Sequence, residues 1–312
     1  MYEIMKKFEF TGETKTINLL FGTATLHRIR AVAKFGFVEI GELGGWIEKE
    51  ENLSHEENAW VYGDAKVYGN AKVYGNAEVR DKAEVCGNAI VYGNAKVGED
   101  AEVYDKAEVY DKAEVYGNAQ IYGNAIVRAN AKVYGKAEVC GKAGVGGKAE
   151  IRDDAKVYDK AIVCEDANVY GKAQIYGDAK VWYDAKVYGN AKVYSNAEVY
   201  SNAKVYGNAK VYGNAEVCGK AEVCGKAEVF STRHVLVIGT IGSQDDFATF
   251  YRDKDNEITV KCGYFLDKID KFLEKVTETH GDSNYALVCR AAVEAARLQI
   301  DLSNEVTKDA DE

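Results

Sequence analysis

The chain of 312 residues contains no proline, and its 30 glycines sit mostly at regular positions. Surplus positive charge is missing too. The formal net charge is −10, placed unevenly as −3 over residues 1–58 (7 bases, 10 acids), −1 over 59–230 (23 and 24) and −6 over 231–312 (10 and 16). That balance excludes a basic surface for nucleic acid. An acidic mimic of DNA fits poorly as well, because the long middle is neutral. Paired cysteine motifs are absent: Cys86, Cys140, Cys164, Cys218, Cys224, Cys262 and Cys289 are odd in number, and none forms CxxC. A reduced, cytosolic compartment is the simpler reading. The opening "MYEIMKKFEF" has no apolar signal core, and no run approaches membrane-spanning length. The expected location is the cytoplasm, with no membrane partner.

What is present is a period of six. Alanine recurs every six residues from Ala59 to Ala227, 29 times, and Val or Ile follows two residues later each time, from Val61 to Val229. Each unit reads A-x-[VI]-x-x-x. Within A-x-V-x the side chains alternate, so Ala and Val face one way and their neighbours the other. The last two positions are most often Gly-Asn, Gly-Lys or Asp-Lys, and glycine and asparagine tolerate the left-handed backbone of a tight corner. A helix is excluded, since a period of six scatters the valines around a 3.6-residue turn.

A short strand and a corner every six residues resembles the left-handed parallel β-helix family, in which three hexads make one triangular coil. The expected fold class is mainly β: a left-handed parallel β-helix of about ten triangular coils, with an N-terminal β cap and a small C-terminal α+β domain. At about 4.8 Å per coil the prism is about 45 Å long, and its valine column supplies tens of kcal/mol of gross apolar burial. Open ends of such a prism invite polymerisation, so both ends need caps. The expected domains are a cap over 1–58, the repeat over 59–230, an α+β domain over 231–302 and an acidic tail over 303–312. Helices are expected near Leu266–Thr279 and over "YALVCRAAVEAARLQIDL", the latter amphipathic.

The segment "RIRAVAKFGFVEIGELGGWIEKEENLSHEENAWVYGDA" resembles the start of a group of uncharacterised bacterial and phage repeat proteins that includes YdcK-like proteins. In that group a similar GxLGGW leads into an NLS turn, matched here by Gly41–Trp46 and Asn52–Ser54. The C-terminal "IGTIGSQDDFATFYR…CGYF…THGDSNYA" is similar to a module appended to phage and prophage proteins. The resemblance implies architecture and a phage or prophage setting, and supplies no activity.

Many left-handed β-helix proteins are acyltransferases with a histidine base on a coil, and carbonic-anhydrase relatives hold a metal with three histidines. Here the four histidines, His27, His55, His234 and His280, all lie outside the hexads. His55, beside Glu56 and Glu57, reads as an exposed cap residue, and His280 as a turn residue. No catalytic residue, metal site or cofactor is expected. The five repeat cysteines replace outward tyrosines, and Cys86 and Cys140, three coils or roughly 14 Å apart, are too distant for a disulfide.

Specificity on the rod falls to the outward positions. Tyrosine follows the Val in 17 of 29 hexads, so ladders such as Tyr170, Tyr188, Tyr206 and Tyr158, Tyr176, Tyr194, Tyr212 are expected. On two faces the position between Ala and Val is expected to alternate Lys and Glu, as in Glu78, Lys96, Glu114, Lys132 and Glu150. The third face differs: Ile90, Ile126, Gly144 and Ile162 lie beside an edge holding Tyr92, Arg128, Gly146 and Trp182. These eight form the expected interface, an apolar strip suited to self-association as a dimer or trimer. The functional expectation is a non-catalytic scaffold of phage type that binds a host protein or small ligand, as in interference with a host defence. An acyltransferase-like enzyme and a polymer-forming structural protein are the alternatives.

Overall fold

The computed structural model describes residues 6–20 and 22–303, so the acidic segment from 304 on lies outside the described residues. The chain forms two compact units, Met1–Asp159 and Lys160–Glu312.

In the first unit, β1 (Phe8–Leu19) and β2 (Gly22–Ala31) form an antiparallel hairpin from Phe8↔Ala31 to Leu19↔Gly22. The short β3 (Leu43–Ile47) pairs antiparallel with β2, placing Arg28 opposite Trp46. From there the period of six takes over. Strands β4 (Trp60–Val61) to β20 (Lys156–Val157), two residues each, recur once per hexad. Within this unit strands pair in parallel with those 18 residues on, as in Glu78↔Lys96, Lys66↔Glu84 and Lys72↔Ile90. Three hexads therefore make one turn, and three sheets wall the solenoid. The second unit repeats the pattern from β21 (Ile162–Val163) to β32 (Glu228–Val229). The 29 hexads of the two units amount to about ten turns of parallel β-solenoid.

Hexad chemistry explains the turn. The alanine and the Val or Ile of every repeat are at most 1% exposed, and together they fill the interior. The second, fourth and sixth N–H groups donate forward to the next turn, as Lys66, Tyr68 and Asn70 do to the carbonyls of Ala83, Val85 and Gly87 at 2.9, 3.0 and 2.7 Å. The fifth residue alone takes the left-handed corner, with φ of 74° at Gly135 and 60° at Asp111. The asparagine beside it was expected to share that geometry and does not. One left-handed residue suffices to turn the chain, and the asparagine amides instead bond down the stack, Asn58 to Asn76 at 2.7 Å and Asn76 to Asn94 at 3.2 Å. Where aspartate takes the corner, its carboxylate accepts the N–H of the corner one turn on: Asp105 from Gly123 at 3.1 Å, Asp111 from Ala129 at 3.2 Å.

The first turn is completed by unlike segments. Trp46 and Glu48 donate their N–H groups to Ala65 and Val67, Ser54 donates to Val73, and Trp60 to Ala77. The buried Asn52 side chain donates to the carbonyls of Ala71 (2.8 Å) and Gly69 (3.2 Å). Trp60 is fully buried and meets Phe35 and Phe8 at ring-centroid distances of 5.3 and 6.3 Å. The GGW motif follows from this packing. A Cβ at Gly44 would stand 2.6 Å from Trp60, and one at Gly45 2.6 Å from the Ala65 carbonyl oxygen, so only glycine fits.

At its far end the second unit carries a four-stranded antiparallel sheet, β33 (Val235–Ile241), β34 (Asp246–Arg252), β35 (Ile258–Cys262) and β36 (Phe265–Lys268). Helices α1 (Ile269–His280) and α2 (Asn284–Gln299) follow, close to the expected positions. Strand β34 lies over β31 (Glu222–Val223) and β32. Thr249 Oγ1 accepts the Glu222 N–H at 3.0 Å, Tyr251 OH sits 3.4 Å from Cys224 Sγ, and Lys254 N–H reaches the Lys226 carbonyl at 3.0 Å. Phe250, Val260, Phe272 and Val293 centre a separate apolar core between this sheet and the helices.

Candidate functional site

The eight strip residues divide between the units. In the first, Ile90, Glu108, Ile126 and Gly144 stand in register on neighbouring strands. Glu108 interrupts the apolar row. Ile126 is 36% exposed and Ile90 half-buried. Along the adjoining edge Tyr74, Tyr92 and Tyr110 stack at 5.0 and 4.8 Å. Arg128 continues this edge and lies over the buried Gly146, where a Cβ would come within 3.5 Å of Arg128 Nε. In the second unit Ile162, 44% exposed, is in register with Lys180. Trp182 stacks on Tyr183 at 4.8 Å and packs against Tyr200 at 5.2 Å.

Elsewhere the outward side chains are tied to their own ladders. Tyr170, Tyr188 and Tyr206 stack at 4.8 and 4.9 Å, as do Tyr176, Tyr194 and Tyr212. Some outward tyrosines also donate to the glutamate of the next turn: Tyr206 to Glu222 at 3.4 Å, Tyr134 to Glu150 at 3.2 Å and Tyr200 to Glu216 at 3.1 Å. Burial pushes Tyr104, Tyr134 and Tyr188 up to about 12. The Lys–Glu alternation holds in register from Glu78 to Glu150. It fails on the other charged sheet, where Glu84 neighbours Glu102 and Lys192 neighbours Lys210. Lys66 then pairs with Glu84, and Gln120 donates to Glu102 at 3.2 Å. Such exposed pairs are worth at most about 1 kcal/mol each, so the core tolerates the irregularity.

His27, His55 and His234 pack on aromatic rings. His55, expected to be exposed, has a side chain only 17% exposed, because its ring stacks on Phe8 at 4.2 Å. Its Nδ1 accepts the Lys7 N–H at 3.3 Å, and burial lowers its pKa. His234 is 2% exposed; Nδ1 accepts the Phe230 N–H at 3.3 Å, and burial, with Arg252 nearby, depresses its pKa to about 4. His27 stacks on Phe10 at 4.7 Å. All seven cysteines are free. Burial raises the thiols of Cys86 and Cys140, and Cys224, at an outward position, is buried because Tyr251 covers it.

One feature has no counterpart among the expected sites. A cavity of about 200 Å³ opens in the C-terminal domain between Ile241, Asp246, Cys262, Phe265, Val276 and His280. Cys262 is pushed up to about 11, first by burial and then by Asp246, so its thiol stays protonated at neutral pH. The lining comes from separated stretches of sequence that meet only when α1 packs on the sheet, so no local motif announces it.

Among known families, a model described as the YdcK beta solenoid repeat matches residues 119–135. That segment contains β14 (Gln120–Ile121), β15 (Ile126–Val127) and β16 (Lys132–Val133), three successive strands and hence about one turn. No curated protein matches the chain. The similarity bears on the solenoid alone.

Proposed function

We propose that the protein is a non-catalytic solenoid scaffold that holds a partner protein against its third sheet. The observation that carries this is the outward Ile90 and Ile126 in one register row, flanked by the stacked Tyr74, Tyr92 and Tyr110. Stacked tyrosines offer a wide amphipathic surface at low entropic cost, and outward isoleucines gain by being covered. Ladder-bound tyrosines and Lys–Glu pairs over much of the other sheets leave this row as the place where the pattern departs from self-pairing. In the phage or prophage setting that the sequence resemblance implies, the partner is a host protein, and occupying it is the activity.

The test is capture from host lysate by the intact chain and by an Ile90→Lys, Ile126→Lys variant whose β signature in circular dichroism is unchanged. Loss of the captured protein in the variant supports the proposal, and retention moves binding off this row. Turnover of an acyl donor by the purified wild-type chain would overturn the scaffold reading. A second reading rests on the C-terminal cavity, whose size and apolar lining suit a small apolar ligand; native mass spectrometry of the purified chain for a bound metabolite tests it.

A further inference from the structure

Helix α2 is apolar on two opposite sides. Ala286, Cys289, Ala292, Val293 and Ala296 face the domain core and are at most 5% exposed. On the other side, Leu287, Val288 and Leu298 are 53%, 48% and 83% exposed, with Ala291 and Ala295 exposed between them. At 3.6 residues per turn these five occupy an arc of about 100°. The sequence expectation of an ordinary amphipathic helix is thus corrected. A helix apolar on both sides has a second surface to bury.

We infer that this outer stripe is the contact through which two copies of the chain pair, helix against helix, about a two-fold axis. Two features favour a second copy as the occupant. The stripe reads alike from both ends: large side chains at 287 and 288, small ones at 291 and 295, a large one at 298. Antiparallel pairing centred between Ala291 and Ala295 sets Leu298 of each copy against Val288 of the other, and the alanines let the backbones approach at the crossing. The charged flank is also self-complementary. Arg290 and Glu294 lie one helical turn apart beside the stripe, so the same two-fold brings Arg290 of each copy next to Glu294 of the other, twice per interface. Their present partners are exposed and exchangeable: Arg290 bonds Asp282 at 3.1 Å and the Gly281 carbonyl at 3.0 Å, and Glu294 takes Arg297 at 2.8 Å. A four-turn helix pair buries an area at the low end for specific interfaces, so the association is concentration-dependent.

Sedimentation velocity of the intact chain over a concentration series tests this. Wild type shifts from monomer to dimer, while Leu298→Glu weakens association at least ~30-fold, the loss of the most exposed apolar anchor of the stripe. Arg290→Glu and Glu294→Arg each weaken it through like-charge contacts, yet the double reversal restores it, as does mixing the two single variants. Loss of fold cannot produce that rescue, and matching thermal melts confirm intact folds. A wild-type chain that stays monomeric into the hundreds of micromolar overturns the inference. So does a dimer split by Ile126→Lys but not by Leu298→Glu, which would place the contact on the solenoid.

Discussion

The two ends of the repeat are closed by opposite chemistry. Three N–H groups of each hexad donate forward, so the first turn presents carbonyls and the last presents N–H groups. At the first end the groups that meet this edge are donors. They are backbone N–H groups from β3 and the following loop, the Asn52 amide, and the Lys7 ammonium, which reaches the Ala59 carbonyl at 2.7 Å. At the last end the N–H groups find acceptors, the Thr249 hydroxyl for Glu222 and the His234 imidazole for Phe230, while donors such as the Lys254 N–H reach carbonyls off the ladder, here that of Lys226. One end is completed by chain that imitates a coil, the other by an antiparallel strand laid over it. A directional ladder cannot be capped twice by one device.

The largest effect should follow from removing both ends. Trimming the chain to residues 59–230 uncovers carbonyls at one edge and N–H groups at the other, and end-to-end assembly visible by electron microscopy is expected; a monodisperse product would show that the two caps are not what stops growth. Next comes Trp60→Ala, which empties the plug of the first end and should cost about 3–5 kcal/mol in chemical denaturation. The donor–acceptor contrast is tested directly by Asn52→Asp. It turns two donated bonds into oxygen facing oxygen, and should cost more than Asn52→Ala, itself about 1–3 kcal/mol. At the other end Thr249→Val should cost about 1 kcal/mol, the acceptor being lost. Equal tolerance of Asn52→Asp and Asn52→Ala would contradict the asymmetry.

His234 adds a pH test specific to the last end. Its folded pKa is about 4 against an ordinary 6.5, so the unfolded chain takes the proton first as pH falls. Stability from this group is intact above about 6.5, falls at up to ~1.4 kcal/mol per pH unit, and is gone below about 4. Melting temperatures measured across that window should decline less steeply for His234→Gln. The smallest effect belongs to the repeat interior: Asp111→Ala at a left-handed corner should cost about 1 kcal/mol, and Asp111→Gly less.

The interior was readable from sequence because Ala and Val repeat without a lapse, and burial demands nothing more of them. The corner was only half readable. Gly-Asn looks like one signal, yet glycine answers to backbone torsion and asparagine to a neighbour 18 residues away. The end devices were harder still. His55 beside two glutamates looked exposed, and nothing local revealed that Phe8 would cover it. The double-sided α2 was misjudged because its outer alanines weigh little in an amphipathic pattern, although Leu287, Val288 and Leu298 were in plain view. Rows within each unit, such as Ile90, Glu108, Ile126 and Gly144, follow from counting hexads; what covers them does not.

The register of 18 gives the gene a second frame above the codon. Deleting one hexad leaves every alanine and valine in the core, so folding scarcely notices. Every later strand nonetheless moves to the next sheet: without residues 95–100, for instance, Ile90 would face Glu114 instead of Glu108. Deleting three hexads shortens the solenoid and preserves all rows. Near-identical repeats recombine readily, and the core accepts any multiple of six, but the surface keeps its pattern only in multiples of 18. Copy-number variants that survive for function, rather than for folding, should therefore differ by whole turns.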